Sequence, residues 1–74
     1  LVPLIETALG VEALPEICAS TPRVSRVAFG AADYCADLGL AWTPDEDEFA
    51  YIRARLAHCS RAAGLEPPID TVVV

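Results

Sequence analysis

Apolar and polar residues fall along this chain in blocks whose spacing changes from one block to the next, and each spacing predicts an element. Residues 1–6 are apolar up to Ile5 and too few for a helix, the pattern of a strand buried on both faces. Pro3 works against it, because proline removes a ladder donor and belongs at a strand start or edge. A helical stretch opening at Gly10 repeats Val11, Leu14 and Ile17 with Cys18 at three to four residues, which makes one apolar stripe. Pro15 is expected to restart or tighten that helix. Ser20, Thr21 and Pro22 break the pattern, and residues 24–29 read as a second short strand that ends at Gly30. A brief helix over residues 31–38 is stopped by Gly39, as glycine commonly does just beyond a helix end.

The longest periodic block follows. Thr43 is expected to cap it, with Pro44 at the first helical position and Glu46 at the spacing of a capping box. Phe49, Ile52, Leu56, Cys59 and Ala63 then recur at three and four residues, with Arg53, Arg55 and Arg61 elsewhere around the helix. Gly64 ends it, Pro67 and Pro68 turn the chain, and residues 69–74 form a third strand rich in β-branched side chains.

The order strand, helix, strand, helices, strand is two β-α-β crossovers, which predicts an α/β fold with about three parallel strands and right-handed connections. Helices on one side leave the other sheet face bare. The missing strands of a (β/α)8 barrel would cover it; an open doubly wound sheet is the alternative. With 74 residues, 54% of them hydrophobic, and a mean hydropathy of +0.41, the chain is more apolar than a soluble domain of its size needs. It opens without Met on an apolar run and closes on Val72, Val73 and Val74, so residues 1–74 are expected to be a partial barrel domain, incomplete at both ends and inactive alone.

Charge and cysteine content narrow the function. A net charge of −6, with five Arg, no Lys and eleven acidic residues, lacks the basic stripe of a nucleic-acid binder. Acidic and basic residues interrupt every apolar stretch short of a membrane span, and no basic segment precedes an apolar block as in a secretory signal, so a cytoplasmic location is expected. Cys18, Cys35 and Cys59 are odd in number and lack C-x-x-C spacing, as free, buried thiols do. The acidic run from Asp45 to Glu48 is expected to be a solvated first helical turn. His58 is expected on the helix surface, Trp42 packed at the helix start, and Asp70 in a structural role at the end of the third strand away from the chemistry.

Reactive groups of parallel α/β folds gather where strands end at their C-terminal edge. Glu6 lies at such an edge, and Asp33 stands three residues past the end of the next strand, at the start of a helix. Neighbouring strands lie about 4.8 Å apart, so the two carboxylates can reach one cation. Two carboxylates completed by water and a substrate oxygen is the usual way Mg²⁺ is held. The small residues Gly30, Ala31 and Ala32 at a helix N-terminus expose backbone amides suited to a substrate carboxylate. Plainer readings stand beside these: Glu6 as a solvated or capping acid, and Asp33 as a first-turn acid satisfying its own helix.

Residues 1–8 with Gly10, then Phe29-Gly30-Ala31-Ala32-Asp33-Tyr34 with Asp37-Leu38-Gly39, and more weakly Ala62-Ala63-Gly64 with Pro68-Ile69-Asp70, resemble the citrate lyase beta-subunit-like branch of the HpcH/HpaI aldolase family across essentially the whole chain. The resemblance implies a (β/α)8 TIM barrel, with this segment in its second half. It also implies Mg²⁺ bound by Glu6 and Asp33, a substrate contact from Glu6, and a keto-acid carboxylate on the backbone amides from Gly30 to Asp33. Many relatives carry an acid where this chain has Ala32. The family's substrate arginine would precede residue 1, and none of the five arginines here matches it. The activity implied is a Mg²⁺-dependent carbon–carbon lyase that cleaves or forms a β-hydroxyacyl-CoA such as citryl-CoA, malyl-CoA or citramalyl-CoA, in a homo-oligomer, often a trimer. The pyruvate aldolases of the family and a non-catalytic metabolite-binding barrel are the alternatives.

Overall fold

Backbone hydrogen bonding places three passes of the chain side by side in the computed structural model, which describes residues 1–70. β1 (Leu4–Ile5) pairs in parallel with β2 (Ala28–Phe29), Leu4 opposite Ala28 and Ile5 opposite Phe29. Ala28 in turn forms a parallel bridge with Ile69. The passes therefore neighbour one another in chain order, joined by helices, as the two crossovers require. Of the expected third strand, Ile69 takes up its pairing, and residues 71–74 lie outside the described residues.

Both predicted strands contract to two residues, for local reasons. Pro3 has no N–H to give, although its carbonyl accepts from the Ala28 amide at 2.9 Å. Residues 24–27 spend their carbonyls on the segment after the last helix: Ser25 accepts from the Glu66 amide and Val27 from the Ile69 amide, each at 2.9 Å. Burial on both faces is also corrected. Ile5 and Phe29 are 2% and 1% exposed beneath the helices, whereas Leu4 and Ile69 are 53% and 39% exposed. Leu4, Ala28 and Ile69 are register partners and so share the face the helices leave uncovered.

The first helical stretch begins two residues earlier than expected. Thr7 caps α1 (Ala8–Glu12) by accepting from the Gly10 amide, and α2 (Leu14–Cys18) restarts after Ala13 with Pro15 in its first turn. Val11, Leu14 and Cys18 are buried. α3 (Ala31–Leu38) has the predicted limits, and Gly39 closes it in the left-handed conformation at φ 70°.

The predicted capping box does not form. Glu48 takes the role expected of Glu46, accepting from the Thr43 amide at 2.8 Å and from its hydroxyl at 2.7 Å. Glu46 has φ 56°, in the left-handed region, and its carboxylate turns to Trp42 Nε1 at 2.8 Å and Arg53 at 2.9 Å. Helical structure therefore starts as a short 3₁₀ turn (Asp47–Phe49) and continues as α4 (Ala50–Ala62). The acidic run is only partly a solvated turn, since two of its members are bonded. Phe49, Ile52, Leu56 and Cys59 face the core as the periodicity predicts, but Ala63 is exposed and Ser60, 1% exposed, takes its place. Among the described residues the Ser60 hydroxyl has no hydrogen-bond partner.

Phe49 is the centre of the core. It is fully buried and meets Phe29, Tyr34 and Trp42 edge-on at centroid distances of 5.2, 6.2 and 5.5 Å, a geometry that aligns positive ring edges with negative faces. Arg53 lies over the same ring at 5.4 Å and pairs with Asp70 at 3.2 Å. Asp70 therefore has an ion-pair partner in α4. The register puts it level with Phe29, though, rather than at the far end of the sheet. Cys18, Cys35 and Cys59 are buried free thiols, and burial pushes the first two above the ordinary thiol range. His58 is exposed on α4.

Candidate functional site

Glu6 follows β1 directly and Gly30 follows β2. With Leu4 opposite Ala28, the period of two carries both onto the uncovered face at the C-terminal edge. The Gly30 amide donates to the Ile5 carbonyl at 2.9 Å, so the last ladder bond of the pair lies beside Glu6. Gly30 matters because it has no side chain. A Cβ there would stand 2.6 Å from Glu6 Oε2 and 3.1 Å from Glu6 Cβ. The Glu6 side chain occupies that space and lies across the end of β2.

From there Glu6 meets Asp33. Hydrogen bonding to the Asp33 carboxyl when one of the two acids is protonated, with lesser contributions from desolvation and from the Asp33 charge, holds the Glu6 carboxyl above its ordinary range. Such a bond needs a proton between the two acids, and two ionised carboxylates at this separation repel.

Gly30 is the N-cap residue of α3 and makes no side-chain cap bond; Asp33 is the acid of the first turn. The Tyr34 amide reaches back to the Gly30 carbonyl at 3.0 Å, and the Gly30 amide, expected to meet a substrate carboxylate, is instead spent on the Ile5 carbonyl in the ladder at 2.9 Å. Leu4, Glu6, Phe29, Gly30, Ala31, Ala32 and Asp33 line one shallow depression of about 130 Å³. All five site residues expected from the sequence, Glu6, Gly30, Ala31, Ala32 and Asp33, are in that lining, and Leu4 and Phe29 are additions to it. Among the described residues no third His, Cys, Asp or Glu joins the pair in a metal-holding group. Two hard carboxylate oxygens with room for water and substrate oxygens fit Mg²⁺, which keeps much of its hydration; they do not fit a structural zinc site, which takes four protein ligands.

One neighbour of the site was not anticipated. Asp37, one turn beyond Asp33 on α3, accepts from the Ala8 amide at 2.9 Å. The sequence signal for it was the four-residue spacing from Asp33, which puts both acids on one side of the helix.

Comparison with known proteins bears on this geometry. The family model for HpcH/HpaI aldolase/citrate lyase matches residues 1–74. Citrate lyase subunit beta of Leuconostoc mesenteroides subsp. cremoris is 40% identical over 68 residues, covering 92% of this chain and 22% of that protein. L-malyl-CoA/beta-methylmalyl-CoA lyase of Rhodobacter capsulatus is 33% identical over 60 residues, covering 77% and 19%. The crystal structure of RipC from Yersinia pestis superposes with a TM-score of 0.86 at 40% identity, covering 95% of this chain and 31% of that one. The chain spans about a fifth of the length of the curated relatives it matches.

Proposed function

The chain belongs to the HpcH/HpaI aldolase/citrate lyase family, and we propose that it forms the metal-binding side of a Mg²⁺-dependent carbon–carbon lyase acting on a β-hydroxyacyl-CoA. The observation that carries the proposal is the Glu6–Asp33 pair, two acids lining one depression at the mouths of neighbouring parallel strands. With both acids ionised, that juxtaposition repels and opposes folding. The lyase relatives support the reaction class: their names specify citrate and malyl-CoA chemistry, and the acyl-CoA substrate proposed here rests on that likeness.

In this reading Glu6 and Asp33 bind the ion, and Gly30 leaves the space through which Glu6 reaches it. The positive end of α3, at Ala32 and Asp33, would favour a substrate carboxylate. The bound metal supplies Lewis-acid polarisation of a substrate carbonyl, worth several kcal/mol of barrier in such reactions. Leu4, with Ala28 and Ile69 beside it, presents an apolar row that the remaining strands of a (β/α)8 barrel would bury. That closure would also exclude water from below the site.

The test is Mg²⁺-dependent cleavage of citryl-CoA, malyl-CoA and citramalyl-CoA by the full-length protein, compared with Glu6→Gln and Asp33→Asn. Both variants are expected to lose cleavage and Mg²⁺ binding while keeping the wild-type circular dichroism spectrum. Retention of activity in both would overturn the assignment of the site.

A further inference from the structure

The hydrogen bond from the Ala8 amide to Asp37 Oδ2 stands outside any proton or metal chemistry, yet it closes a loop around Glu6. Glu6 sits on the short extended link between Ile5, the last residue of β1, and Thr7, the cap of α1. On one side of it the Ile5 carbonyl is held by the Gly30 amide at 2.9 Å. On the other side the Ala8 amide is held by Asp37 at 2.9 Å. Both holding groups belong to the continuous segment from Gly30 through α3 that carries Asp33. The link bearing one carboxylate is thus stitched at both ends to the element bearing the other.

We propose that Asp37 is a positioning residue for the carboxylate pair, fixing the backbone that carries Glu6 relative to the helix that carries Asp33. The inference rests on the reading of Glu6 and Asp33 as metal ligands. Two like charges four residues apart on a helix ordinarily destabilise it, so a second acid one turn from Asp33 needs a partner of its own. It has one in a first-turn amide of α1, a donor with no acceptor in its own helix. The contact is local in space but spans 29 residues of chain, so it couples the two crossovers in a way neither has alone. Without it, the Ile5–Gly30 bond is the remaining hydrogen bond, among the described residues, from the β1–α1 link to the segment that carries Asp33, and the Glu6 carboxylate can shift relative to Asp33.

The donor can be removed as cleanly as the acceptor. Ala8 is the first helical residue, a position where proline is favoured and its missing N–H breaks no helical bond, and Thr7 at φ −135°, ψ 158° already has the extended conformation a following proline requires. Mg²⁺ binding to the full-length protein is measured by titration calorimetry for wild type, Asp37→Ala, Asp37→Asn, Ala8→Pro, the Asp37→Ala/Ala8→Pro double variant and Glu6→Gln. Partners that orient metal ligands are generally worth 10–100-fold in affinity, and a loss of about tenfold is expected for Asp37→Ala and for Ala8→Pro alike. The double variant should lose no more than either alone, because both remove one bond. Asp37→Asn, which keeps a carbonyl oxygen to accept the amide, should stay within about twofold of wild type, by the same scale. Unchanged affinity in Asp37→Ala or Ala8→Pro overturns the proposal, as does an equal loss in Asp37→Asn, which would assign the effect to charge. Glu6→Gln reports separately: wild-type affinity there overturns the metal reading and this inference with it, whereas its loss beside unaltered Asp37 and Ala8 variants overturns the inference alone.

Discussion

Two glutamates show how differently this small fold uses the same side chain. Glu46 sits at the turn before α4, between Trp42 and Arg53, and those hydrogen bonds hold its carboxyl below the ordinary range. Glu6 sits at the mouth of β1 against another acid, which holds its carboxyl above that range. The first has its counter-charge within the chain and braces the start of α4 over Phe49. The second is placed against a like charge at the edge where parallel α/β folds do chemistry, with no cationic side chain bonded to it among the described residues. An acid provided with its own cation reads as structure, and an acid provided with another acid reads as a site.

Phe49 and Gly30 should separate the two regions most strongly. Phe49→Ala removes a fully buried ring in contact with Phe29, Tyr34 and Trp42, and urea unfolding of the full-length protein should show a loss of about 3–5 kcal/mol. Gly30→Ala should act on chemistry instead. Its new Cβ would meet Glu6 Oε2 at 2.6 Å, while Gly30 at φ −101° lies where alanine sits without backbone strain. The displaced carboxylate should lower kcat/KM by about 100-fold, the scale of a misplacement near 1 Å, with a thermal midpoint close to wild type. An unfolded Gly30→Ala protein, or one fully active, would erase the distinction between brace and site.

The smaller effect is in pH dependence, and its sign differs between the two acids. In metal-free protein the native state holds the Glu6 proton more tightly than the unfolded chain does. Stability therefore falls as pH rises from the ordinary glutamate value through the raised one. Glu6→Gln should be more stable than wild type at neutral pH, with the advantage gone in acid. Glu46 is the reverse: its contribution is present above the ordinary value and is lost as pH falls through the lowered one. Glu46→Gln should be less stable than wild type at neutral pH and equal to it in strong acid. Denaturant midpoints at neutral and acidic pH check both signs, and a shared sign would mean that the two carboxylates occupy equivalent environments.

Much of this was legible in the residues, and what was missed has physical causes. The helix over 31–38, the restart at Pro15 and the inward face of α4 through Cys59 all follow from spacing and from proline and glycine chemistry, which act over one or two turns. The capping box at Thr43 failed although its spacing was correct. Glu46 turned instead to Trp42 and Arg53, four and seven residues away, and Glu48 could reach Thr43 in its place. Ser60 inside and Ala63 outside show the limit of reading burial from periodicity near a helix end, where Gly64 has already turned the chain away. Asp37 was visible as part of a familiar string of residues, but its partner lies 29 residues upstream, and nothing local announces such a contact.

By itself the sequence determined which segments become strands and helices, the parallel order those segments impose, and that Glu6 and Asp33 follow the ends of neighbouring strands. These are consequences of local sterics and short-period hydrophobicity, which do not depend on what the chain meets later. Tertiary structure decided the rest: that Glu6 crosses onto Asp33 through the space left by Gly30, that Asp37 fastens the link between β1 and α1, and that Glu46 faces Arg53 and Trp42. The first two depend on residues distant in sequence that the pairing of β1 with β2 brings together, and the third on the left-handed turn at Glu46 that aims its carboxylate back at Trp42 and forward at Arg53.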